Sequence, residues 1–434
     1  CELSIYFKKC YSVKLIKNLL ENIKILSLQK QSKVPIKNLK LVDLSVNKLK
    51  SHTISETDSL IGLIEKKCEM YPNRIIYEDE RERISYHDML SRIENISSRL
   101  NFSRKKIGIL GDNCVKKIIT VIGIIKSGNI YVPIDYSAPK NRINELIKEI
   151  GIDFILCESK YKKNVYLCPV YSYLEMEFSE KKSLPEKKYS VLDPICILST
   201  SGTTGKPKKF IHSQVSIINA INEYRKICDF TKNDVIGLRS PLQHVPSTIE
   251  IFIGLVLGIK TVIVPERVII NPDKLYSFIS KYKISWIQMV PTIIDTCLSY
   301  KGIPANVKYL VSLGENLPYD LAKDVFRKSN SIKLITNYGM TEFNMITLGI
   351  LTNKSRASSI GKAISNTLVA IVNSDNKVVP KGIIGQIAVC NYNNGVSINV
   401  SNTENMIYVN DLDEYMYLTG DYGYYLENEE EIIY

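Results

Sequence analysis

The stretch "LSTSGTTGKPKKFIHS", residues 198–213, decides how the rest of the chain is read. Behind the short apolar run "ICIL" it gathers two glycines, a run of Ser and Thr, and three lysines. Glycines let backbone N–H groups approach an anion, hydroxyls donate further hydrogen bonds, and lysines supply charge. The pattern is not the P-loop of nucleoside triphosphatases, which has four residues between its glycines and then Gly-Lys-Ser/Thr. Here Gly202 and Gly205 enclose two residues, and Pro207 follows Lys206. An isolated run of this composition is equally a surface loop, so its surroundings must decide.

Those surroundings alternate. Short β-branched runs at 105–110, 129–134, 153–157, 195–199, 261–264, 285–290, 308–313 and 333–336 read as strands. Helical segments fall between them at 115–127, 139–150, 214–228, 272–282 and 318–328. Strand–helix alternation implies parallel sheets covered by helices. After about residue 356 helices become scarce and Gly-punctuated strands take over, as in "TLVAIVN" and "YMYLTGDYGYY". The expected fold class is therefore α/β, with two helix-covered, mostly parallel sheet subdomains and a smaller β-rich one. The quoted loop leaves strand 195–199 and precedes helix 214–228. The C-terminal end of a parallel strand is where α/β proteins bind ligands.

At 434 residues, two or more domains are expected. The formal charge is +12, but no basic block is interleaved with aromatics, which argues against a nucleic-acid partner. None of the ten cysteines forms a Cys-x-x-Cys pair or joins a His cluster. They read as free thiols of a reducing cytoplasm, not as disulfides or zinc ligands. Glu250 and Lys260 interrupt the longest apolar run, so no membrane span is expected. Residues 1–50 offer a strand-like start, an amphipathic helix and a Lys-rich linker. The chain begins with Cys and shows no signal peptide, as if excised from something longer.

Further segments follow in order: "ISYHDML" (84–90), "IIKSGNIYVPID" (124–135), "SLGENLP" (312–318), "NYGMTEF" (337–343) and "YLTGD" (417–421). Together with "TSGTTGKPKK" this set resembles the adenylate-forming superfamily, and most closely the adenylation domains of nonribosomal peptide synthetases. The resemblance runs from about residue 55 to the end. Residues 1–52 look like a condensation-domain tail with its linker, 53–355 like the α/β adenylation core, and 356–434 like its β-rich subdomain. It implies a cytoplasmic ATP-dependent ligase that joins a carboxylate to the α-phosphate, releases pyrophosphate and loads the acyl group on a carrier thiol. ATP, Mg²⁺, a phosphopantetheine-bearing carrier domain and a neighbouring condensation domain are implied with it. The family's small C-terminal subdomain, which carries a catalytic lysine, is expected to be missing, since the chain stops at "YYLENEEEIIY".

The resemblance also assigns roles. Thr200, Ser201, Gly202, Thr203, Thr204, Gly205, Lys206 and Lys208 would hold the departing phosphates. Gly314, Glu315 and Asn316 would form one wall of the adenine slot, and Asn337, Tyr338, Gly339 and Met340 would border the other. Thr341 and Glu342 would meet the α-phosphate and Mg²⁺, a hard cation suited to carboxylate and phosphate oxygens. Asp421 would accept both ribose hydroxyls. Taken singly, Glu342 is equally a cap acid, Asp421 a turn residue and Tyr338 a core residue. Family members usually have Pro-Lys-Gly where this chain has Pro207-Lys208-Lys209.

The acid pocket departs further. In "PLQHVPSTIEIF" (241–252), amino-acid-activating domains read Phe-Asp-x-Ser, whose Asp pairs with the substrate ammonium; here His244 and Val245 stand at Phe and Asp. The other carried-over positions are Pro246, Ile249, Gln288, Val311, Leu313, Asn337, Met345 and Ile346. This lining suits an acid without an α-amino group, such as a keto, hydroxy or aryl acid, with Gln288 or Asn337 free to donate to its oxygen. The opposing reading makes Glu250 the ammonium's partner. A stand-alone acyl- or aryl-CoA ligase and a non-catalytic scaffold are the alternatives of function. His212 is expected at a cap or on the surface, and Trp286 in the core.

Overall fold

The computed structural model describes residues 44–47, 54, 59–100, 102–162, 166–177, 189–200, 208–329, 331–353, 359–391, 396–397, 405–426 and 430–434. The chain divides into two compact units. The larger comprises Lys50–Thr367 and Asn391–Thr403; the smaller comprises Cys1–Leu49, Leu368–Cys390 and Glu404–Tyr434.

In the larger unit the strands are β1 (Ile75–Glu78), β2 (Arg83–Ser85), β3 (Lys106–Leu110), β4 (Ile130–Ile134), β5 (Phe154–Cys157), β6 (Val170–Ser172), β7 (Pro194–Thr200) and β8 (Lys208–Ser213). They continue with β9 (Val235–Leu238), β10 (Lys260–Ile263), β11 (Trp286–Met289), β12 (Tyr309–Leu313), β13 (Lys333–Tyr338), β14 (Thr347–Leu351) and β15 (Ser359–Ala363). The smaller unit is built on β16 (Thr367–Val372) and β17 (Gly385–Asn391), and the short β18 (Val396–Ser397) returns to the larger one. β19 (Met406–Val409), β20 (Glu414–Tyr425) and β21 (Glu431–Ile433) complete the smaller unit.

Two sheets organise the larger unit. One runs β18-β8-β7-β4-β3-β5-β6; the other runs β15-β14-β13-β12-β11-β9-β10-β1-β2. The centre of the second is parallel throughout, from β13 across to β1. Between the sheets lies one apolar core, fed by Ile107, Tyr131, Cys196 and Leu198 from the first sheet and by Ile236, Trp286, Val311 and Ile335 from the second. The helices in that layer are buried over most of their surface. Val115–Lys126 reads "VKKIITVIGIIK", and Pro246–Leu257 buries nine of its twelve residues. The outer helices are amphipathic instead. Lys140–Ile150 turns Ile143, Ile147 and Ile150 to the first sheet, and Tyr319–Lys328 turns Leu321 and Val325 to the second. Helix, sheet, helix, sheet, helix is the layering expected from the alternation of the sequence.

The smaller unit pairs β16, β17, β20 and β21 in that order, with β19 on the edge of β20. Residues 44–47 join it: the Ser45 amide donates to Val379 O at 2.8 Å, and the Ile371 amide donates to Ser45 O at 2.9 Å.

One correction concerns the quoted loop. It does not lead straight into a helix. β8 comes first, antiparallel to β7, with Thr200 opposite Lys208 and Ser199 opposite Lys209. The segment 201–207, with Ser201–Lys206 of the expected phosphate site, lies outside the described residues. Lys208 is the first residue of a strand, and the helix Gln214–Ile227 follows at once. A strand of six residues with two lysines and a histidine offers too little alternation to be read from sequence.

Candidate active site

The larger unit presents two groups of residues at the C-terminal ends of its parallel strands, where the backbone turns away from the sheet. After β12 come Gly314, Glu315 and Asn316, exposed, with Gly314 at φ +82°. The Thr292 hydroxyl donates to Glu315 Oε2 at 2.7 Å. After the neighbouring β13 the chain reverses through Gly339–Asn344 into β14. Tyr338, Gly339, Met340, Thr341 and Glu342 on that reversal are half-exposed. The turn is tight: the amides of Phe343 and Asn344 both donate to Met340 O, at 3.0 and 2.9 Å. Gly339 is required there, because a Cβ would stand 1.9 Å from the Asn344 carbonyl oxygen. Glu342 therefore sits in a turn and not at a helix start.

The second group lies on the inner face of the same sheet. Gln288 is opposite Val311, and Leu313 is opposite Asn337. Val245 and Ile249, from the start of the helix Pro246–Leu257, join Val311 and Met345 in the inner core. Ile346 is buried, Pro246 is half-buried and His244 is exposed. The helix is held against the sheet at its far end. A Cβ on Gly254 would meet Thr261 Oγ1 at 2.2 Å and Ile259 O at 2.5 Å.

Polar groups in this second region are few and unevenly satisfied. Val245 is 8% exposed. Glu250 is 0% exposed, and both its oxygens are engaged: Oε2 accepts the amides of Arg239 and Ser240 at 2.9 and 2.7 Å, and Oε1 accepts the Ser240 hydroxyl at 2.9 Å. Burial pushes its carboxyl up to about 7, against the pull of Arg239 and the Ser240 bonds. Glu250 thus ties the end of β9 to the helix. Arg239 is buried as well; one of its guanidinium N–H groups donates to Gln288 O at 3.2 Å, and among the described residues it forms no ion pair. The surrounding protein lowers the His244 imidazole below its ordinary value, with Arg239 adding to the effect and Asp135 opposing it.

The two amides expected to be free differ. Asn337 Nδ2 already donates to the Tyr224 hydroxyl at 2.8 Å, whereas neither amide atom of Gln288 has a partner among the described residues. Trp286 is buried in the core, with its ring edge-on to Tyr224 at 5.4 Å. His212 is neither cap nor surface residue: it is a fully buried strand residue.

Asp421 lies on β20 of the smaller unit and is half-exposed rather than confined to a turn. Its amide donates to Thr419 Oγ1 at 3.1 Å, and its Oδ1 accepts the Tyr434 hydroxyl at 2.9 Å. Tyr434, Tyr224, Thr292 and Arg239 were not singled out by sequence reasoning. Arg239 left a signal, a cation inside the apolar run "VIGLRSPL"; the tyrosines and Thr292 left none. No group of three or more His, Cys, Asp or Glu side chains gathers for a metal among the described residues. Among the same residues, no helix is long and apolar enough to cross a membrane, and the described cysteines are free thiols.

Two helix-covered sheets with glycine-bearing turns at the ends of parallel strands are the fold expected of the adenylate-forming class. Comparison makes this specific: the AMP-binding enzyme family matches residues 64–395, and the chain belongs to that family. Its curated relatives are nonribosomal peptide synthetases. Gramicidin S synthase 2 of Brevibacillus brevis is 26% identical over 349 residues, covering 75% of this chain and 8% of the relative. Tyrocidine synthase 1 of Brevibacillus parabrevis is 24% identical over 346 residues, covering 76% and 31%. The chain thus spans a small part of the relatives it matches. Among solved structures, the nonribosomal peptide synthetase FmoA3 superposes with a TM-score of 0.86 at 18% identity, covering 98% of this chain and 48% of that one. The N-terminal subdomain of Klebsiella oxytoca NpsA, in complex with 3-hydroxybenzoyl-AMSN, gives 0.75 at 17% identity, covering 86% and 98%.

Proposed function

We propose that this chain is the adenylation core of a nonribosomal peptide or depsipeptide synthetase, and that it activates a carboxylic acid lacking an α-amino group. The reaction joins the acid's carboxylate to the α-phosphate of ATP, gives acyl-AMP and pyrophosphate, and prepares the acyl group for a carrier-domain thiol. One solved relative is FmoA3 bound to AMPPNP, and another is a fusion of NpsA with a carrier domain. In this reading the turn Gly339–Glu342 addresses the α-phosphate and Gly314–Asn316 the adenine. Thr200–Lys206 and Lys208 address the leaving phosphates. Asp421 takes the ribose. Glu342 is a single carboxylate on a half-exposed turn, which suits a Mg²⁺ ion that arrives on phosphate oxygens; the ion would supply charge neutralisation on those oxygens.

The observation that carries the choice of acid is the charge around Val245. An ammonium entering there sheds water and meets a valine. The nearby carboxylate, Glu250, has its oxygens committed to Arg239 and Ser240, while the guanidinium of Arg239 has no ion pair among the described residues. A buried ammonium without a counter-charge costs several kcal/mol. A keto, hydroxy or aryl acid brings no such charge, and Gln288 offers an unpartnered amide to its oxygen. NpsA, whose bound ligand is a hydroxybenzoyl compound, favours an aryl acid as the second choice.

ATP–pyrophosphate exchange on the full synthetase domain tests this. The 2-keto or aryl acids should be activated at least about ten-fold better than the matching L-amino acids, a gap of ~1.4 kcal/mol. Val245→Asp should narrow the gap by penalising the native acid. An L-amino acid emerging as the best substrate overturns the proposal.

A further inference from the structure

A basic groove crosses the larger unit at the N-terminal ends of β1, β9, β10 and β11, the end of the parallel strands opposite the turns after β12 and β13. It consists of two adjoining hollows of about 850 and 530 Å³, and Arg74 and Lys232 line both. The acids of the groove are neutralised. Glu78 accepts Arg83 Nε at 2.8 Å and Lys260 Nζ at 2.9 Å. Asp229 accepts Lys333 Nζ at 2.6 Å, and Asp234 accepts Lys308 Nζ at 2.8 Å. The other cations have no such partners: Lys67, Arg74, Arg225, Lys232, Lys281 and Lys283 line the groove without an ion pair among the described residues.

Part of that charge serves the fold. The helices Leu60–Met70, Gln214–Ile227, Pro246–Leu257 and Pro272–Tyr282 all end at the groove, and cations favour helix C-termini. Arg74 is the clearest case, donating to Gly258 O just beyond the third of them at 2.9 Å. Each helix end supplies about half a negative charge, so the four together supply about two, and the six cations exceed them by about four.

The floor is apolar. Leu63, Val256 and Leu257 are half-buried there, at the margin of the inner core. The aromatic rings of the groove are already engaged: the Arg74 guanidinium lies 4.0 Å from the centre of the Tyr71 ring, Phe230 packs on Tyr309 at 5.4 Å, and Tyr282 packs on Phe278 at 4.3 Å. A single-stranded nucleic acid would need open rings on which to stack its bases, and its phosphates gain nothing from an apolar floor. An acidic amphipathic helix uses both materials, since its apolar stripe covers the floor while its carboxylates meet the rim.

We propose that this groove docks an acidic amphipathic helix of a partner polypeptide, at the end of the sheet away from the turns proposed for the nucleotide. The surplus of cations sets the sign of the partner, and the floor sets its amphipathic form.

Fluorescence anisotropy with a labelled helical peptide of about 18 residues, Leu along one face and Glu along the other, tests this. The peptide should bind saturably and weaken steeply between about 50 and 300 mM salt. A scrambled peptide of the same composition and a single-stranded oligonucleotide of equal charge should each bind at least about ten-fold more weakly. Arg225→Glu combined with Lys232→Glu should weaken the amphipathic peptide at least about ten-fold with the melting temperature unchanged. Lys281→Glu combined with Lys283→Glu repeats the measurement at the second hollow, should the first pair disturb folding. Lys140→Glu combined with Lys148→Glu, on the helix outside the first sheet, changes the net charge equally and should leave binding within about two-fold. Absence of saturable binding overturns the proposal, as does equal weakening by the Lys140 and Lys148 pair. A scrambled peptide that binds as well reduces the groove to net charge alone, and an oligonucleotide that binds as well or better makes it a nucleic-acid surface; either result also overturns it.

Discussion

The turns proposed for the nucleotide and the side chains proposed for the acid are built from opposite materials. The turns proposed for the nucleotide, after β12 and β13, are half-exposed or exposed, and their residue types answer backbone demands. Gly314 sits at positive φ, and Gly339 lies where no Cβ fits. In the pocket proposed for the acid, Val245, Ile249, Gln288, Val311 and Met345 are buried, and selectivity there would depend on which side chains face each other. A backbone demand admits few residue types and leaves a motif. A packed pocket admits many, and what it excludes is a charge that is absent.

The sharpest way to break this contrast is to disturb Glu250, which has no counterpart at the nucleotide end. Glu250→Ala leaves two buried amides and the Ser240 hydroxyl without their acceptor. It should cost about 3–5 kcal/mol of stability, read by urea denaturation. The sign of the pH dependence follows from the raised value. Between the ordinary carboxylic range and about 7, the folded chain holds a proton that the unfolded chain releases, so this group's contribution to stability falls as pH rises through that window. Glu250→Gln should remove that slope, which denaturation at pH 5 and pH 7.5 would reveal. An unchanged slope would mean that the site is not as dry as its burial implies.

A smaller effect belongs to the other end. Replacing Lys206 and Lys208 together by Ala should weaken ATP about 100-fold, at ~1.4 kcal/mol per charge-assisted contact, and spare AMP, with no change in melting temperature. Loss of AMP binding to the same degree would show that the lysines serve the fold or the nucleoside rather than the leaving phosphates.

The smallest expected effect sharpens the acid end. Tyr224→Phe keeps the edge-on ring against Trp286 but removes the hydroxyl that holds the Asn337 amide. Affinity for the acid should fall about three-fold with ATP affinity unchanged, a change of the size that one neutral hydrogen bond supports. An equal loss for ATP would join the two ends into one coupled site.

These differences also explain what was legible beforehand. The alternation of apolar runs gave the layers, and nearly every central strand lies within a residue or two of its expected bounds, as with "KYLVSL" and Tyr309–Leu313. The helix Pro246–Leu257 was not foreseen; its run of buried residues carries only a weak helical period. β8 was hidden for the converse reason: its lysines and histidine mask the strand pattern. The residues of the nucleotide turns were legible because glycine and threonine recur there in a fixed order. The engagement of Glu250, the tether from Tyr224 to Asn337 and the burial of His212 were not. Each depends on how the folded chain packs, and spacing along the sequence carries no trace of it.

The close approach at Gly254 has a consequence for re-targeting. The helix that delivers Val245 and Ile249 touches β10 backbone-close at its far end, where even a methyl group has no room. That contact fixes the separation of helix and sheet behind the proposed acid pocket. New preferences must then be acquired by exchanging individual side chains within a fixed frame, one position at a time. Swapped lining residues should therefore behave as interchangeable parts, and lineages descended from such a frame would diversify in what they accept while remaining superimposable in outline.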